Sequence, residues 1–131
     1  MLTKKLKRLF LISILIFIAH ITEELLAGLW NVDSLTISAA KYFQSIPQAI
    51  FVVFNLTFLI FLIIIALLIK GGKWIWLVMS IVGLIFVFEL EHIIKALISG
   101  GYYPGLYTSF LFPIIGFFYW KELIKNFKQN K

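Results

Sequence analysis

Residues 47–69 read PQAIFVVFNLTFLIFLIIIALLI, and this stretch decides the class of fold. No charged side chain occurs in it, and it is almost wholly Ile, Leu, Phe and Val. Crossing ~30 Å of hydrocarbon takes ~20 such residues in a helix, so the stretch predicts a transmembrane span. Its start carries its own signals: Ser45 can cap, Gln48 completes a Ser-x-x-Gln box, and Pro47 is tolerated in the first turn. The excess apolar residues fall in blocks, not in a period-2 pattern, which argues against an outer-membrane barrel.

Three further blocks flank it. They run roughly from Leu9 to Trp30, from Trp74 to Ser99 and from Tyr107 to Leu123. Composition agrees: 62% of the 131 residues are hydrophobic and only 14% charged, where soluble domains run at about 45–50% and about 25%. The expected fold is an all-α integral membrane protein of one domain, a four-helix transmembrane bundle. Gly71-Gly72 is expected to join spans two and three, residues 100–105 spans three and four, and 31–45 is the one sizeable loop. Pro113 predicts a kink in the fourth span.

Basic residues orient the bundle. Lys4, Lys5, Lys7 and Arg8 precede span one, Lys70 and Lys73 flank the Gly-Gly turn, and Lys121, Lys125, Lys128 and Lys131 follow span four. These ten of the twelve Lys and Arg fall on one side, leaving Lys41 and Lys95 elsewhere. The positive-inside rule then puts both termini in the cytoplasm of a multi-pass protein of the cell membrane. Trp74, Trp76, Tyr119 and Trp120 form an inner aromatic belt, and Trp30, Tyr42, Tyr102, Tyr103 and Tyr107 an outer one. The net charge of +6 is split among three short flanks, which suits anionic lipid head groups and not a nucleic acid. The basic-then-apolar start also has the pattern of a leader, but cleavage would fall near Ala27, where the small-residue signal is weak.

Against this apolar background, His20, Glu23 and Glu24 stand out on span one. At i, i+3 and i+4 they share a helix face. Each ionisable group at such depth costs about 2.5–3.5 kcal/mol, which makes the cluster a candidate functional site. Span three carries a second cluster, Glu89, Glu91, His92 and Lys95. By helical rise, His20 lies about 15 Å below Trp30 and His92 about 12 Å from Gly100. Asn55 lies about 12 Å from Pro47. All occupy one layer in the outer half of the bilayer, which predicts one shared site.

Bland roles compete for some of these residues. Glu91 and Lys95, at i, i+4, are expected to form a structural ion pair. His92 could be a simple hydrogen-bonded histidine, and Asn55 reads as interhelical glue. Glu23 and Glu24 resist such a reading, because two adjacent buried acids need a proton, a cation or a metal ion between them. Cysteine is absent, which removes thiolate nucleophiles and thiolate metal sites. The carboxylates and imidazoles match the ligand types of a di-iron or di-manganese bundle only in part, because spans two and four offer no carboxylate in the layer. A mononuclear zinc or iron site is easier to build, and a metal-free acid–base site easier still. The expected site residues for either chemistry are His20, Glu23, Glu24, Glu89 and His92.

His20-Ile21-Thr22-Glu23-Glu24 near the start of a small polytopic protein resembles the signature of the HXXEE family of membrane proteins. The later His92 and the Tyr103-Pro104-Gly105-Leu106 segment resemble that family's second half. The resemblance covers essentially the whole chain, and implies the fold and the site without implying a reaction. The residues leave three function classes open. One is an intramembrane enzyme using an acid–base or metal site, zinc or iron, on a lipid-like substrate. The second is a small proton- or ion-coupled permease, and the third an accessory protein whose buried charges pair with a partner's. Glu-Glu intramembrane proteases are a poor analogy, since their further His and Asn motifs are absent. The one-sided depth of the polar layer favours a pocket open to the outer leaflet over a transport track.

Overall fold

The computed structural model describes residues 2–68 and 73–129. The expected Gly71-Gly72 connection, with Lys70 and Lys131, lies outside them. The described residues form seven α-helices: α1 (Lys4–Leu26), α2 (Ser34–Tyr42), α3 (Pro47–Leu68), α4 (Lys73–Phe88), α5 (Leu90–Ser99), α6 (Leu106–Ser109) and α7 (Leu111–Gln129). Among the described residues, three helical runs are long and apolar enough to cross a membrane: Lys4–Leu26, Pro47–Leu68 and Trp74–Ser99.

Local chemistry sets the element ends. Thr3 Oγ1 accepts from the Leu6 N–H at 3.2 Å and caps α1 ahead of its basic flank. At its far end α1 stops at Leu26, short of the expected Trp30, because Gly28 adopts a left-handed φ of 72° that no helix continues through. The expected loop at 31–45 folds into α2. Its N-cap is Asp33, whose carboxylate accepts from the Thr36 N–H at 2.8 Å. The third span relaxes at Glu89 into α4 and α5. The fourth is interrupted at Phe110, between α6 and α7. Pro113 has no N–H to offer the Ser109 carbonyl four residues back, so the irregularity falls where the sequence places it.

Helix α1 packs against α3 and α7, and α7 also packs against α4. Between helices this apolar, shape-matched contact sets how they pack. Phe17 supplies it at the centre. Its ring lies 5.6 Å from Phe58 of α3, 6.0 Å from Phe86 of α4 and 4.9 Å from Phe112 of α7. Tyr119 of α7 is fully buried and donates its hydroxyl to the Met79 carbonyl of α4 at 2.8 Å. Outward-facing residues such as Leu15, Leu67 and Ile98 are two-thirds or more exposed, so the outer surface is extensively apolar.

Helix α7 runs antiparallel to α1 along its length. At one end, Asn126 Oδ1 accepts from the Thr3 N–H at 2.7 Å and Glu122 Oε1 accepts from the Thr3 hydroxyl at 3.0 Å. At the other end, Thr108 of α6 meets His20. The Phe cluster lies between them and floors the polar site, with Phe112 edge-on to His20 at 5.0 Å.

Candidate functional site

Three elements converge above the Phe cluster. Helix α1 contributes His20 and Glu24, the Glu89 joint and the first turns of α5 contribute Glu89 and His92, and the turn before α6 closes over them. His20 and Glu24 are buried, and Glu89 and His92 are mostly so, with 19% and 12% of their side chains exposed. The two imidazoles stand edge to face, 4.8 Å between centroids.

The tautomers can be read from the partners. His92 Nδ1 lies 2.7 Å from the Pro104 carbonyl, which only accepts, so Nδ1 carries the proton. His20 Nδ1 lies 2.7 Å from Thr108 Oγ1. That hydroxyl has one hydrogen, and its other neighbours are acceptors: a Glu23 oxygen at 2.6 Å and the Gly105 carbonyl at 3.3 Å. The hydroxyl therefore donates to Glu23 and accepts from His20 Nδ1–H. Both imidazoles thus turn Nε2 toward the centre.

There they meet two carboxylates. His20 Nε2 lies 2.8 Å from Glu89 Oε2 and 3.3 Å from Glu24 Oε1. His92 Nε2 lies 3.2 Å from the same Glu24 oxygen and 3.4 Å from the same Glu89 oxygen. All four atoms lie within 4.8 Å of one another. His20 Nε2 is buried without a hydrogen-bond partner of acceptable geometry. Lone pairs and carboxylate oxygens packed this closely repel unless a proton or a cation lies between them.

The turn from Gly100 to Gly105 completes the site with backbone. Gly105 has a φ of 87°, and a Cβ there would sit 2.7 Å from His20 Cε1 and 2.8 Å from His92 Nδ1. Only glycine lets the chain pass this close to both rings.

Of the five expected site residues, four meet at the centre. Glu23 faces away from it, because neighbours on a helix point about 100° apart. Its carboxylate accepts from the Tyr102 hydroxyl at 2.9 Å, the Tyr107 N–H at 3.1 Å, and the Thr108 N–H and hydroxyl at 2.8 and 2.6 Å. Burial and the Glu23 charge push the Tyr102 hydroxyl up to about 12, so it stays a donor. Glu23 thus anchors the α6 turn, and through Thr108 it fixes the orientation of His20.

Lys95 pairs with Glu91, as the i, i+4 spacing predicts. It also lies 3.6 Å from Asp33 and donates to the Tyr103 hydroxyl at 3.2 Å. Asn55, expected between helices, donates to the Phe51 carbonyl of its own helix at 3.0 Å. Thr108, Tyr102 and Asp33 escape the sequence reading. Thr108 and Ser109 do form a polar step at the head of an apolar span, and Asp33-x-x-Thr36 is a legible helix cap. The Pro104 carbonyl leaves no trace in a sequence.

No curated protein and no solved structure matches the chain. The model of a family described as a protein of unknown function with HXXEE motif matches residues 11–119, from within α1 to Tyr119 on α7, and the chain therefore belongs to the HXXEE family.

Proposed function

We propose that this protein is a multi-pass integral membrane protein in which His20, Glu24, Glu89 and His92 hold a divalent metal ion, zinc or iron, for chemistry on a lipid-like substrate. The observation that carries this reading is the convergence of two Nε2 atoms on the same two carboxylate oxygens. Tetrahedral zinc with bonds of ~2.0–2.1 Å has ligand–ligand edges of about 3.3–3.4 Å. Three of the four nitrogen–oxygen separations, 3.2, 3.3 and 3.4 Å, match that edge. Both imidazoles also donate their other N–H to a fixed acceptor, as metal-bound histidines do. When bound, the ion supplies a Lewis acid. The chain's own part is to hold two neutral imidazoles and two carboxylates in place, and to exclude water with Phe112 and the Gly105 turn.

A metal-free reading rests on the remaining separation. The 2.8 Å from His20 Nε2 to Glu89 Oε2 has the length of a charge-assisted hydrogen bond, and a small turn of either side chain would align it. An imidazolium between two carboxylates would make the site a proton-sharing acid–base cluster.

Metal analysis separates the two. The purified protein should carry near-stoichiometric metal, lost in His20→Ala and in His92→Ala but kept in Glu91→Gln. A chelator should lower its Tm. Metal content no higher than in a Glu24→Gln, Glu89→Gln double variant removes the ion and leaves the acid–base reading.

The proposed bundle has four spans with both termini cytoplasmic. Its support is the alignment of α7 along the whole of α1, together with the ten basic residues on one side.

A further inference from the structure

A cavity of about 180 Å³ lies beside the centre, and its wall carries Glu24, Asp33 and Glu91 against a single Lys95. The three carboxylates are graded in exposure. The Glu91 side chain is 58% exposed, that of Asp33 17% and that of Glu24 8%. They lead from the first turn of α5 and the N-cap of α2 inward to α1. Beyond Glu24, at 3.3 Å from it, stands His20 Nε2, on a side chain only 2% exposed. This nitrogen has no hydrogen-bond partner of acceptable geometry among the described residues. The row of acids thus ends on a buried donor atom that is left unmatched.

Lys95 answers part of the charge. It pairs with Glu91, lies 3.6 Å from Asp33 and donates to the Tyr103 hydroxyl at 3.2 Å. One ammonium cannot neutralise two carboxylates, and Glu24 stands further in with its own charge. A concave wall of one net sign in low-dielectric surroundings focuses its field and concentrates ions of the opposite sign. Asn55, on the α3 wall, gives an N–H to the Phe51 carbonyl, and its amide oxygen is left for the cavity. Oxygen donors of this kind replace the water around a divalent cation.

We propose that the cavity is the route by which the divalent ion reaches the centre, passing Glu91 and Asp33 and displacing Lys95 from them on the way. This loading step rests on the metal reading above. In the proposed topology the mouth, beside the start of α2, faces outside.

Glu91 and Lys95 are partners in one ion pair, so the test is one of sign. If the pair only holds the cavity together, loss of either partner shifts uptake in the same direction. If the acids draw the ion in and Lys95 competes with it, the directions are opposite. The protein is stripped with a chelator in phosphatidylcholine nanodiscs, and uptake of Zn²⁺ is timed with a fluorescent zinc indicator. Glu91→Gln should slow uptake severalfold, as should Asp33→Asn, which keeps an N-cap residue on α2. Lys95→Gln should speed it severalfold. Unchanged rates, or shifts of one sign, overturn the route. Zinc bound at saturation should stay near-stoichiometric in all three, and its loss in either acid variant would make that acid a ligand and overturn the route as well. Where a variant fails to fold, the salt dependence of the wild type decides. The chain carries a formal net charge of +6, so repulsion by the molecule at large would make uptake faster as salt screens it. An acidic route makes uptake slower, and faster or unchanged uptake overturns the proposal. A wild type that binds no more zinc than a Glu24→Gln, Glu89→Gln double variant removes the centre and the route with it. Stoichiometric zinc, taken up at rates indifferent to these charges, keeps the centre and removes the route alone.

Discussion

Thr108 is the residue on which the centre turns. Its single hydroxyl hydrogen goes to Glu23, so it can only accept from His20, and that one fact points His20 Nε2 inward. Thr108→Val keeps the shape but leaves the Nδ1–H of His20 unmatched and takes from one Glu23 oxygen one of its two donors, the Thr108 N–H remaining. Unsatisfied buried groups cost about 1–3 kcal/mol each, and loss of a histidine's outer partner typically weakens metal binding by about 10–100-fold. Thr108→Val should therefore lower metal affinity in a chelator competition by that factor, and Thr108→Ser should restore most of it. Equal affinity in Thr108→Val and wild type would mean that Glu24 and Glu89 alone orient the ring. Glu23 and Glu24 show how far a motif can be read. The spacing His-x-x-Glu-Glu says that all three face one side, but the i+4 residue lies closer to His20 around the helix than the i+3 residue does. Glu24 therefore joins the centre and Glu23 the turn above it. Which acid does which was not legible without the partner element.

At the scale of elements, α2 ties the outer loop to the site. Asp33 caps α2 through Thr36 and reaches Lys95 of α5. Burial pushes its carboxyl up, but the Thr36 N–H and hydroxyl and the Lys95 ammonium more than offset that and hold it below its ordinary value of 3.8. A depressed folded pKa stabilises the protein fully above the ordinary value, and the contribution is lost as pH falls through the folded one. Amide protection over 34–42 should then drop when pH is lowered from neutral to about 3, and stay flatter in Asp33→Asn. The same fall in both proteins would place the acid sensitivity elsewhere. The apolar runs and the matched depth of the two polar clusters were readable, because hydrocarbon thickness and helical rise set them residue by residue. The turn from Gly100 to Thr108 was not. It acts through a carbonyl, a positive φ and one hydroxyl, and none of these has a periodicity to betray it.

For the molecule as a whole, topology turns on whether α7 crosses the bilayer. Its second half carries Lys121, Glu122, Lys125 and Lys128, and among the described residues three other helical runs have the length and apolarity to span. The proposal that it does cross rests on its partners. Thr3 at the start of α1 is held by Glu122 and Asn126, and His20 two-thirds of the way along α1 is held by Thr108. Helices held together from Thr3 to His20 run side by side over that stretch, so if α1 spans, the proposal is that α6 and α7 span beside it. The charges of α7 then lie level with Lys4 and Lys5, on the side that the positive-inside rule assigns to the cytoplasm. Four spans put both termini there, whereas three would put the C-terminus outside. A reporter active only in the periplasm should be silent when fused after residue 131 and active when inserted near Ser38. Activity at both positions would mean that α7 does not cross. Activity at 131 with silence at 38 would invert the bundle, and the layer of His20, Glu24, Glu89 and His92 would then face the cytoplasmic leaflet.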